Sequence, residues 1–167
     1  MQGPRATAEG TVEGRVSELA RVEASARGLA VLEVAVDHGR PSVVTVTVDV
    51  DVPDHGRVAT GDRPRDSVDI DVIADLSRAL DTALVSAGVV PDDARLEVSS
   101  PGIERPLGTA RDLVRNLGRD VELLVDAHPV RGRLVAVEDG AAVVVVEGSE
   151  QRFDLEQVEA ARLVLPW

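Results

Sequence analysis

Ser99 and Ser100 stand side by side, three histidines are scattered along the chain, and Asp49, Asp51 and Asp54 crowd one stretch. These are the side chains that nucleophilic, acid–base or metal chemistry would use. A serine nucleophile on a strand-to-helix elbow needs Gly-x-Ser-x-Gly. The position two before Ser100 is Val98, so that motif fails, and the serine pair suits hydrogen bonding to turn backbone instead. His38 and His55 precede glycines and His128 precedes Pro129, which are turn settings. The three aspartates fail as a calcium loop: Asp54 stands where an EF-hand requires glycine, and Thr60 where it requires glutamate. With no cysteine, disulfides, thiol catalysis and Cys-ligated zinc are excluded. No constellation of acid, base, nucleophile or metal ligands is assembled. The chain is expected not to be an enzyme and to need no cofactor or metal.

Nucleic-acid chemistry fares little better. A KH module clamps four nucleotides with a Gly-x-x-Gly loop. No two glycines here are three apart, and Gly10 and Gly14 have one spacer too many. Phe153 and Trp167 are the only aromatics, so platforms for stacking single-stranded bases are missing. The net charge is −12 and every basic residue is arginine. Up to Leu107 there are 11 Arg against 19 acids, and from Gly108 onward 7 against 11. Neither half offers a net positive field for a phosphate backbone, and the favoured partner is a basic surface.

The elements that must position these side chains follow from periodicity. With 44% apolar and 29% charged residues in 167, the chain is globular, as one large domain or two small ones. No apolar run approaches the ~20 residues of a membrane helix, and the N-terminus has no signal-peptide core, so a cytoplasmic protein without membrane contact is expected. After a loose tail over residues 1–10, helical spacing predicts a helix over 11–26, ended by Gly28. A strand over 29–37, turn chemistry at 38–41 and a strand over 42–50 predict an antiparallel hairpin. In the second strand Val44, Val46, Val48 and Val50 share one face, with Val43, Thr45, Thr47 and Asp49 on the other. The polar loop 51–66 is long for a compact domain. A second helix spans 69–87, with Asp69 as N-cap and Ile73, Leu76, Leu80, Leu84 and Ala87 as its buried stripe. A third strand, 95–98, completes α-β-β-α-β. Beyond it, a short helix over 109–117 precedes five short strands at 121–125, 131–137, 141–147, 151–155 and 160–165. These predict a small closed barrel, with Trp167 packed against it.

Between the halves lies Leu96-Glu97-Val98-Ser99-Ser100-Pro101-Gly102-Ile103-Glu104-Arg105-Pro106-Leu107. Ser100 to Ile103 fits a type II turn, and Pro106 pushes Arg105 toward extended geometry, making a stiff elbow. Arg105 is expected to pair with Glu97 or Glu104 and fix that elbow, or else to touch rRNA or a protein partner. The dozen residues resemble the signature stretch of the bacterial ribosome maturation factor RimP family. Val68 to Leu80, with its Ser77-Arg78-Ala79-Leu80 end, and Ala161-Arg162-Leu163-Val164 are also similar to that family's pattern.

The resemblance implies an α+β protein: an N-terminal KH-like α-β-β-α-β domain (1–103), a junction (104–110) and a small C-terminal SH3/Sm-like β-barrel (111–167). It implies a non-catalytic assembly factor for the small (30S) ribosomal subunit, expected to act as a monomer. The implied partners are the immature subunit and its basic ribosomal protein S-twelve, with rRNA contact secondary. Partner-binding or hinge residues are expected at Ser99, Ser100, Gly102, Glu104 and Arg105, and on the barrel at Arg131 and Arg133. The loop at 51–66 looks longer than the family's. The alternative is a direct RNA-binding or RNA-chaperone module.

Overall fold

The computed structural model of the chain describes residues 11–59, 61–64, 67–101 and 105–165. The tail over 1–10, the turn through Gly102 and Ile103, Glu104 and Trp167 lie outside them. The chain forms two compact units, and each is discontinuous in sequence. One comprises Met1–Asp51 and Ser67–Pro101, the other Val52–Asp66 and Gly102–Trp167.

The first unit contains helix α1 (Val12–Ser25), strands β1 (Leu29–Asp37) and β2 (Val43–Val50), helix α2 (Ile70–Ser86) and strand β4 (Arg95–Ser99). Both helices start on a side-chain cap: Thr11 accepts from the Gly14 amide, and Asp69 from the Asp71 amide. Each cap satisfies an amide that the first helical turn would otherwise leave unpaired. Gly28 follows α1 at φ +69°, a conformation that costs glycine little, and lets β1 begin at once. The sheet order is β1-β2-β4, with β1 antiparallel and β4 parallel to the central strand. Val44, Val46 and Val48 pack against Val16, Ala20 and Ala24 of α1 and Leu76, Leu80 and Leu84 of α2. The four-residue spacing on the helices and two-residue spacing on the strand put all nine on facing surfaces.

The second unit opens with the short strand β3 (Gly56–Arg57) and continues through helix α3 (Ala110–Arg115) and strands β5 (Asp120–Val125), β6 (His128–Glu138), β7 (Ala141–Val146), β8 (Ser149–Asp154) and β9 (Val158–Leu163). A single 3-10 turn, Leu155–Gln157, separates β8 from β9. A reciprocal capping box between Thr109 and Asp112 starts α3. The strand order is β8-β7-β6-β5-β9, with β3 added on β6. The sheet stays open, against the expectation of a closed barrel: among the described residues β8 does not pair with β9. Instead, the backbone N–H of Leu107 donates to the Ala161 carbonyl of β9 at 2.9 Å. Strand β6 is long because it serves three neighbours. Its first half pairs with β5, its second half with β7, and Ala136 and Val137 also with β3. Its pairing with β7 shifts register between Leu134 and Ala136. Just before that shift Gly132 lies against the backbone of Val145, and a Cβ there would have no room.

The segment after β2, which reads as a polar loop, therefore helps build the second unit. Val58 donates its N–H to the Val135 carbonyl at 2.9 Å, and Gly56 lies where a Cβ would meet Leu117 and Val114. Two residues of strand are too few for a period-two pattern to reveal.

Candidate functional site

Arg131 and Arg133 lie on one face of β6, two residues apart, as strand alternation requires. Cross-strand register sets Glu122 of β5 opposite Arg131 and Asp120 opposite Arg133. On its other side Glu122 lies opposite Arg162 of β9. The result is a row of three side chains across three strands. Arg131 Nε donates to Glu122 Oε2 at 2.5 Å, and Arg162 donates to Oε1 from Nε at 2.9 Å and from Nη2 at 2.7 Å. Only 14% of the Glu122 side chain is exposed, against 67% and 66% for the two arginines, so the carboxylate is the fixed centre and the guanidinium groups form the surface. Hydrogen bonds from Arg131 first, and then Arg162, hold the Glu122 carboxyl below its ordinary value of 4.5. Arg133 reaches Asp120 at 3.4 Å, a looser contact.

A second charged group surrounds Arg57 of β3. It bonds Glu138 at 2.9 Å and Glu150 at 3.1 Å, and Arg152 approaches Glu138 and Asp139 at 3.8 and 3.9 Å. Bonding to Arg57 lowers the pKa of Glu138, and the same bonds to Glu138 and Glu150 raise that of Arg57. These exposed pairs contribute little stability each, because water screens them. Their effect is to occupy the acids that flank the arginines.

The serines sit elsewhere. Ser99 ends β4 in the first unit, in register with Thr47, and Ser100 follows the strand. Both are exposed, and the turn backbone that their hydroxyls were expected to bond lies largely outside the described residues. Arg105 is half-buried in the second unit. Gly102 and Glu104 fall outside the described residues. The histidines are in turns or at a strand start: His55 bonds Asp54 at 3.1 Å, and His128 Nδ1 lies 2.7 Å from the Asp126 carbonyl oxygen. Among the described residues no three histidine, aspartate or glutamate side chains gather to hold a metal ion. Among the described residues no helix is long and apolar enough to cross a membrane.

Sequence reasoning named Arg131 and Arg133 as candidates but not Glu122, Asp120, Arg162 or Arg57, which the structure groups with them or into a second charged cluster. For Glu122 and Asp120 a cue existed. The β5–β6 hairpin turns on Asp126 and Ala127, both at positive φ, and a two-residue turn there fixes the register that pairs them with the arginines. The turn lacks the glycine that usually marks it.

A family model described as the RimP N-terminal domain matches residues 7–104, more than half of the chain.

Proposed function

We propose, because this chain belongs to the RimP family of ribosome maturation factors, that it assists assembly of the small (30S) ribosomal subunit by binding without catalysis. The family match over residues 7–104 carries this reading. The immediate partner is a basic ribosomal protein of that subunit, S-twelve, and rRNA contact is secondary. Charge supports the choice. The first unit holds 7 Arg against 15 acids, and the second 11 against 15. A field of that sign raises the encounter rate with a basic protein and slows approach to naked phosphate backbone. The KH-like kinship of the first unit rests on its α-β-β-α-β order. Kinship of the second with SH3 or Sm folds rests on its short strands and on the register shift in β6 between Leu134 and Ala136. In the second unit the arginines nearest the β5–β6–β9 face are already bonded to acids of the same chain, which favours protein over RNA as the partner. The chain works as a monomer on this reading, and Ser99, Ser100, Arg105, Arg131 and Arg133 are contact candidates.

The test is binding of the full chain to isolated S-twelve across a salt series, beside a mobility-shift assay with naked small-subunit rRNA. Affinity that falls steeply as the screening length shortens below about 10 Å supports electrostatic capture of the protein. Tight, specific binding of naked rRNA with no affinity for S-twelve supports the RNA-binding alternative instead.

A further inference from the structure

One face of the sheet in the first unit packs under the helices. The opposite face carries rows set by the strand register: Glu33 of β1, Thr47 of β2 and Ser99 of β4 form one, and Ala35, Thr45 and Glu97 the next. All six are exposed or half-exposed. Beyond Glu97 on the same face the next row is Asp37, Val43 and Arg95, so the face carries one arginine. The two rows themselves hold two carboxylates and three hydroxyls. None of these five polar side chains has a hydrogen-bond or ion-pair partner among the described residues. The contrast with the second unit is direct, since Glu122 and Glu138 are there held by arginines of the same chain. Two residues of the signature stretch, Glu97 and Ser99, thus point away from the core that Leu96 and Val98 help to fill.

We propose that this sheet face is a docking surface for an arginine- or lysine-rich protein segment. The argument is charge complementarity combined with unspent hydrogen-bonding capacity. Free carboxylates on adjacent strands suit guanidinium or ammonium groups of an extended partner, and the hydroxyls between them accept further N–H bonds. The excess of 15 acids over 7 Arg in this unit adds a field of the same sign. The proposal rests on the reading above that the partner is basic, and it adds the place of contact.

The experiment uses the full chain and a fluorescent peptide of alternating arginine and serine, read by anisotropy. The double variant Glu33→Gln with Glu97→Gln is compared with a control of equal charge, Glu18→Gln with Asp81→Asn, on the exposed sides of α1 and α2. Circular-dichroism melts matching the unmodified chain establish that both variants are folded. The sheet variant should bind about tenfold more weakly, from two lost exposed ion pairs, while the control changes less than about twofold. Equal weakening of both variants, or unchanged binding by the sheet variant, overturns the docking surface and leaves the basic-partner reading standing. Failure of the unmodified chain to bind the peptide or S-twelve at all overturns both. Concentration-dependent dimerisation abolished by the sheet substitutions also overturns it, assigning the face to a second copy.

Discussion

Gly132 of β6 lies against Val145 of β7 so closely that a Cβ at position 132 would stand well inside 3.0 Å of the Val145 carbonyl oxygen. The same Cβ would collide with the Val144 side chain. Backbone on one side and a buried valine on the other leave nothing flexible to yield. Gly132→Ala should therefore destabilise the second unit by about 2–3 kcal/mol, through forced movement of packed strands. Chemical denaturation followed by circular dichroism checks this. A loss below the few tenths typical of a surface change would contradict the close approach of Gly132 to Val144 and Val145.

The β5–β6 turn invites the opposite change. Ala127 sits at φ +60°, where an L side chain is strained by roughly 1–2 kcal/mol. Glycine relieves that strain but loses more chain entropy on folding. Ala127→Gly should be net stabilising by about 0.5 kcal/mol, seen as a higher midpoint in urea with an unchanged slope. A lower midpoint would contradict the left-handed geometry.

Acid should loosen the second unit through Glu122 and Glu138. Both carboxyls are held below their ordinary value of 4.5 by arginines, chiefly Arg131 for Glu122 and Arg57 for Glu138. A folded-state pKa lower than the unfolded one means the unfolded chain binds more protons between the two values. The stabilisation is thus complete above pH 4.5 and is lost as pH falls through the depressed folded values. Glu122→Gln should flatten the acid limb of a stability–pH curve and lower the plateau above it. An acid limb identical to that of the unmodified chain would remove Glu122 as a linked group.

How far the sequence revealed this molecule depended on the range of the interaction. Val44, Val46 and Val48 announced their strand, and Leu76, Leu80 and Leu84 their helix, because both patterns repeat within a few residues. The helix read over 109–117 likewise contains α3. What stayed hidden needs strand order. Arg162 reaches Glu122 across 40 residues of sequence, and nothing local in either strand predicts their neighbourhood. β3 is two residues long and pairs with Val137 and Ala136 far along the chain, so the interleaving of the units carried no periodic signature. The closed barrel failed for a related reason. Five short strands are compatible with a closed or an open sheet, and it is the Leu107–Ala161 bond that occupies part of the β9 edge. The unpartnered state of Glu33 and Glu97 was equally invisible, since an exposed acid reads the same whether or not an arginine lies beside it.

The central claim is that this chain recognises the small subunit while it is still being assembled. The most direct measurement is capture of ribosomal particles by the tagged full chain, with the recovered rRNA scored as precursor or mature. The account predicts strong enrichment of immature small subunits over mature ones, weakened by raised salt. Equal recovery of mature and immature particles, or none of either, would contradict it.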